Sequence, residues 1–91
     1  MTRTVWKFPI PITDYMTLNI PKGAVLLTCV TLSHRDLALY ALVDPEAPLE
    51  KRHFRLAGTG HDIEEAVHFI GTFVLLEGRL VYHLFELDSW V

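Results

Sequence analysis

Apolar residues recur along this chain in short alternating stretches, and the clearest pattern runs from Phe69 to Leu87. Phe69-Ile-Gly-Thr-Phe-Val-Leu-Leu leads into Glu77-Gly78 and returns as Arg79-Leu-Val-Tyr-His-Leu-Phe-Glu-Leu. Gly78 supplies the positive φ that a tight hairpin turn requires. With Glu77 and Gly78 as the loop, Leu76 faces Arg79, Val74 faces Val81 and Ile70 faces Phe85. On the other side Leu75 faces Leu80 and Phe73 faces Tyr82. Both faces are largely apolar, which predicts a pair covered on both sides, at the centre of its fold.

The rest of the chain reads the same way. Thr4-Val-Trp-Lys-Phe predicts a short strand with Trp6 and Phe8 opposing Lys7. Pro9 and Pro11 lack ladder donors, so this strand belongs at an edge or ends at Pro9. Tyr15 to Ile20 predicts a second strand, with Met16, Leu18 and Ile20 on one face, and Pro21-Lys22-Gly23 a turn. Ala24 to Leu32 and Leu37 to Val43 form a further pair across Ser33-His34-Arg35-Asp36. A two-residue turn at His34-Arg35 sets Leu32 against Leu37, Val30 against Leu39 and Cys29 against Tyr40. Asp44-Pro45 begins another turn. Glu50 to Leu56 alternates once more, with Lys51, His53 and Arg55 on a face expected to meet water. Asp62 and Glu65 have capping-box spacing, which allows one helical turn through Val67. The fold class is therefore all-β: a small antiparallel barrel or two-sheet sandwich of six or seven strands.

The 91 residues suffice for one compact domain spanning 1–91, near the lower size limit for independent stability. The hydrophobic fraction of 51% is high for such a chain. A thin β-domain must also hide its strand edges, and together these predict a homo-oligomer. The net charge of −3 argues against general nucleic-acid binding, which needs a basic footprint. A single cysteine, Cys29, excludes an internal disulfide framework. The sequence shows no signal-like start and no apolar stretch long enough to span a bilayer as a helix. A cytoplasmic protein with no membrane association is the expectation.

Candidate chemistry is sparse. Gly58-Thr59-Gly60-His61 is the best local motif: two glycines let backbone N–H groups converge on an anion, with Thr59 and His61 adding donors. Arg52 and Arg55 are the basic groups placed to neutralise a bound charge. The motif is neither a Walker loop nor a dinucleotide fingerprint, and it reads equally as a sharp connection out of a strand. His53, His61, His68 and His83 match no zinc spacing, and no metal or other cofactor is expected. The hairpin register sets His83 opposite Thr72, whose hydroxyl satisfies one ring nitrogen. Ser33, His34 and Asp36 are the residue types of nucleophilic catalysis, but one tight loop makes their side chains diverge. Adjacent Glu64 and Glu65 point apart and form no catalytic pair. No catalytic residue is assigned. The aromatic residues Trp6, Tyr15, Tyr40 and Trp90 are the candidate interface anchors. Trp6 is also a core candidate, and Trp90 either seals the end of the core or docks on another subunit.

Several pieces spread over nearly the whole chain carry a resemblance: Val5-Trp-Lys-Phe-Pro, Ala41-Leu-Val-Asp-Pro-Glu-Ala-Pro, Phe54 followed by Gly58-Thr-Gly-His, and Phe69-Ile-Gly-Thr-Phe with Leu80-Val-Tyr-His-Leu-Phe. The chain resembles a group of small uncharacterised proteins of bacteriophages and prophages. That resemblance implies a viral origin, residence in a host cytoplasm, and a compact non-enzymatic accessory protein that binds a host protein. The alternative reading is a binder or sequesterer of nucleotides or other small anions, built on the Gly58 to His61 loop.

Overall fold

The computed structural model describes residues 2–33, 35–65 and 67–88. The alternating stretches form β1 (Thr4–Ile10), β2 (Tyr15–Pro21), β3 (Val25–Ser33), β4 (Asp36–Val43), β5 (Leu49–Gly58), β6 (Val67–Leu75) and β7 (Leu80–Leu87). All ladders are antiparallel. They build a three-stranded sheet, β1-β4-β3, and a four-stranded sheet, β2-β5-β7-β6. The two sheets stack as an open sandwich and do not close into a barrel. The envelope is a slab of 42 × 31 × 16 Å. That thickness suits two sheets about 10 Å apart with one shared layer of side chains.

The chain crosses between sheets three times, once through residues 11–14 and twice at corners that lie together. At one, Gly23 takes φ of 82° and the Ala24 N–H donates to the Pro21 carbonyl at 3.2 Å. At the other, the Ala47 N–H donates to the Asp44 carbonyl and the Glu46 N–H to the Asp44 carboxylate. The Lys22 N–H donates to the Pro48 carbonyl at 2.8 Å and joins the corners. Strands β2 and β3 therefore run against β4 and β5 as one long hairpin bent across both sheets.

The core follows the alternation. Ile10, Leu37 and Leu39 from the smaller sheet meet Met16, Ile20, Phe54, Leu56, Phe73, Leu75 and Leu84 from the larger. Full burial of Phe54 and Phe73 contributes roughly 1.5–3 kcal/mol each. Cys29 packs against this cluster from β3. A Cβ placed on Gly71 of β6 would lie 2.9 Å from Cys29 Sγ and 3.1 Å from Cys29 Cβ, so glycine permits the close approach of β3 and β6.

Several expectations need correction. The Phe69–Leu87 hairpin is not a central pair: β7 is interior, but β6 is an edge strand. Its register holds from Leu75↔Leu80 to Gly71↔Leu84, after which a bulge pairs Phe85 with Phe69 instead of Ile70. Bulges at Leu27 and Leu32 likewise shift the β3–β4 ladder, so Thr31, Val30 and Cys29 oppose Leu37, Ala38 and Leu39. His34 of the expected turn lies outside the described residues. β1 continues through Pro9 to Ile10, which its edge position permits. Residues 61–65 form no helix; the short helical element is a 3-10 turn at Leu76–Gly78. The face of β5 expected to meet water does so only in part, because Arg55 is buried at 8% exposure. Among the described residues no helix is long and apolar enough to cross a membrane.

Candidate functional site

Beyond Gly58 the β5 strand leaves its ladder with β7 and turns back on itself. The His61 N–H donates to the Gly58 carbonyl at 3.1 Å, and Gly60 takes φ of 89°. His61 folds over the turn, where Nδ1 accepts the Gly58 N–H at 3.2 Å. A Cβ on Gly58 would sit 3.0 Å from that ring, which gives the glycine a packing reason. The motif therefore spends two of its backbone amide or carbonyl pairings on itself, including the Gly58 amide that an anion nest would have used.

Thr59 Oγ1 lies 2.9 Å from His83 Nε2, and His83 Nδ1 lies 3.0 Å from Thr72 Oγ1. The expected Thr72 partner of His83 is present; the Thr59 partner was not foreseen. Both ring nitrogens are engaged by hydroxyls, which donate or accept as the tautomer demands. The relay ties the turn to β6 and β7. Beside it lies an open groove of about 540 Å³, lined by Gly58, Thr59, His61, Arg79, Leu80 and Tyr82 among others. Arg79 is the basic side chain lining it, not Arg52 or Arg55.

Both of those arginines are committed elsewhere. Arg52 makes a two-pronged contact with Glu86, with Nε donating to Oε2 at 2.6 Å and Nη2 to Oε1 at 2.7 Å. Its Nη1 donates to the Ala24 carbonyl at 2.9 Å, so the group clamps the larger sheet to the first residue after the corner. The Glu86 bond holds the guanidinium above its already high ordinary pKa. Arg52 and Glu86 each occupy the core-facing parity of their strands, in line with Phe54 and Leu84. A charge on the apolar parity of a strand was the sequence signal for this pair.

Arg55 lies on the opposite face of the larger sheet, beneath the β5–β6 connection. Nη2 donates to the Asp62 carbonyl at 3.3 Å, Nη1 is 3.6 Å from the Asp14 carboxylate, and the guanidinium sits 4.9 Å from the Tyr15 ring centre. Its Nε is buried without a hydrogen-bond partner. The Tyr15 hydroxyl donates to Glu65, whose other oxygen accepts the Glu64 N–H. The Tyr15 bond holds the Glu65 carboxyl below the usual carboxylate range and raises the Tyr15 phenol. The connection is thus a strap fastened at Asp62 and Glu65. Nothing in the local sequence around Arg55 announced it, because Asp14 and Glu65 are brought there by the fold.

The candidate anchors do not converge. Trp6 pairs with Ala41 on the core-facing side of β1, yet remains 37% exposed, with its ring 6.3 Å from that of Phe8. Tyr40 lies on the outward face of the same sheet, and Tyr15 on the outward face of the other. Trp90 lies outside the described residues. What the smaller sheet does present outward is an apolar surface. Val5, Leu42 and Val25 form one row across its strands, Lys7, Tyr40 and Thr28 the next, and Pro9 and Val30 flank the fully buried Ala38 in the third. Val5 is 51% and Val25 48% exposed.

The sequence profile of the domain of unknown function DUF7352 matches residues 1–90. The chain belongs to this family. The match spans essentially the whole DUF7352 chain, so the paired sheets, the strap and the outward apolar face all fall within the family's domain. No curated protein and no solved structure is similar enough to the chain to count as a match.

Proposed function

We propose that this DUF7352 chain is a non-enzymatic binding module that engages another protein through the outward face of its three-stranded sheet. The observation that carries this reading is that face itself: three rows of side chains, apolar but for Lys7, Thr28 and the Tyr40 hydroxyl. Solvated sheet faces ordinarily alternate to polar residues, and a contiguous apolar patch is a mark of an interaction surface. The three rows carry no carboxylate, and Asp36, on the same side of β4 at their end, already accepts the Ser33 hydroxyl at 2.7 Å, so the complement is an apolar surface with an acidic group set against Lys7. Tyr40, at the centre of the middle row, is the anchor. With the phage or prophage origin that the sequence resemblance implies, that partner is a host protein.

The small-anion reading draws less support, because the Gly58 amide, Arg52 and Arg55 already have partners within the chain. A photo-crosslinking residue placed at Val25, in the cell that makes the protein, tests the proposal. The expected result is a discrete adduct with a second protein species, absent when the same residue replaces Lys51 on the other sheet. The isolated partner is then expected to bind the wild type and not Leu42→Lys. Adducts from neither Val25 nor Val5, or binding undiminished by Leu42→Lys in a correctly folded protein, overturn it.

A further inference from the structure

The sheet order leaves four edge strands, β1 and β3 in one sheet and β2 and β6 in the other. Exposed edges invite pairing, and proteins blunt them with proline, charge or bulges. β1 carries Lys7 and Pro9 within its span. β3 is interrupted by bulges at Leu27 and Leu32, and β6 by one at Ile70. β3 and β6 also lean on each other where Gly71 meets Cys29. β2 shows none of these devices. Tyr15-Met-Thr-Leu-Asn-Ile is uncharged, its proline comes only at the last position, and its register with β5 is unbroken from Tyr15↔Arg55 to Pro21↔Leu49.

The phase of the ladder says which groups face outward. The Leu56 N–H donates to the Asp14 carbonyl at 2.9 Å and the Lys22 N–H to the Pro48 carbonyl at 2.8 Å. Antiparallel ladders alternate, so the even positions of β2 bond to β5. The N–H and C=O groups of Tyr15, Thr17 and Asn19 therefore point to the outer edge, where the Tyr15 carbonyl also accepts the Thr13 hydroxyl at 3.0 Å and keeps its second lone pair for a strand partner, and their side chains are exposed on the outward face.

We propose that β2 is a homodimer edge, at which a second copy of this chain adds its own β2 antiparallel about a two-fold axis at Thr17. Each outward-pointing residue then exchanges a pair of hydrogen bonds: Tyr15 with the second copy's Asn19, Thr17 with its own counterpart, and Asn19 with the second copy's Tyr15. On the core side Met16 lies opposite the second copy's Leu18, which covers the half-buried Leu18 on both copies. The strand is its own complement, with no charge opposite a like charge. Its flanks agree: Asp14 precedes it and Lys22 follows it, so an antiparallel copy sets acid toward base at both ends, whereas a parallel one sets like toward like. That complementarity favours a second copy over a foreign peptide strand as the occupant. The inference is independent of the outward face of the other sheet.

Sedimentation of the full chain over a concentration series, with circular dichroism to check folding, is the test. The wild type is expected to show a roughly two-fold rise in mass with concentration. Thr17→Val removes the 2.9 Å contact with His53 but leaves the edge intact, and stays dimeric. Thr17→Lys and Thr17→Glu each set a charge against its own copy and are monomeric alone. Mixed in equal amounts they are expected to recover the dimer, because unlike charges then face across the axis. A wild type that remains monomeric, a dimer that survives Thr17→Lys, or a mixture that stays monomeric overturns the proposal.

Discussion

Two residues on facing strands, Gly71 and Cys29, set how closely the sheets approach at one side. Adding a methyl at Gly71 overpacks a site where Cys29 Cβ is backbone-fixed and Sγ is the only atom free to turn away. Gly71→Ala is expected to cost about 1–3 kcal/mol in urea unfolding, and less in a Cys29→Ala background, where one of the two clashes is gone. Burial pushes the Cys29 thiol up to about 11. The reactive thiolate is then scarce near neutral pH, so modification by a disulfide reagent should run on the order of 100-fold slower in the folded chain than in urea. A different kind of strain sits at the β6–β7 turn, where Leu76 and Glu77 take φ of 49° and 55° beside Gly78 at 91°. Glu77→Asn suits that left-handed geometry and is expected to stabilise by a few tenths to about 1 kcal/mol.

Elements here are held in place by charged groups that each strand alone gives no reason to place inside. Glu86→Gln should cost roughly 1–3 kcal/mol, since Arg52 keeps its half-buried position without the second charge. Replacing both with Arg52→Met and Glu86→Leu should cost less than that single change, because no unpaired charge remains. The strap over Arg55 has a pH dependence whose sign follows from Glu65. Its carboxyl is lowered in the folded chain, so the contribution is full above the ordinary glutamate pKa and is lost as pH falls through the lowered value. Observing the Glu65 carboxyl by NMR through an acid titration checks this. In Tyr15→Phe it should titrate higher than in the wild type, and amide exchange across 61–65 should quicken already at neutral pH.

For the whole molecule, the relevant quantity is apolar surface left outside a single thin core. The slab is 16 Å thick, so nearly every strand has one face that the chain itself covers and one that it does not. The larger sheet covers part of its outward face with the strap, the Arg55–Tyr15 stack and the edge-on Phe69–Phe85 pair at 5.7 Å. The smaller sheet has no such cover among the described residues. Tyr40→Asp therefore belongs to the surface, not the core: it should leave the unfolding midpoint nearly unchanged while abolishing partner binding, a separation that melting and binding curves on one sample measure directly.

Alternation and turn chemistry determined the strands. Each predicted strand exists, because side-chain parity is local and a covered face needs apolar residues at every second position. The same local logic located Glu77-Gly78, the corners at Pro21–Gly23 and Asp44–Pro45, and the Thr72–His83 contact. Parity also paired Met16, Leu18 and Ile20 on one face. It did not determine which strands are edges, because sheet order depends on contacts between segments far apart in the chain. Tertiary structure alone moved β6 to an edge, introduced the bulges that shift Ile70, Leu32 and Leu27, and left 61–65 without a helix, its capping-box Glu65 taken by Tyr15. It also withdrew Arg52 and Arg55 from the candidate site by giving them Glu86 and Asp62, partners distant in sequence or reached only when the strap folds back. A bulge or a long-range ion pair responds to what packs opposite it, and that neighbour is not written beside it in the sequence.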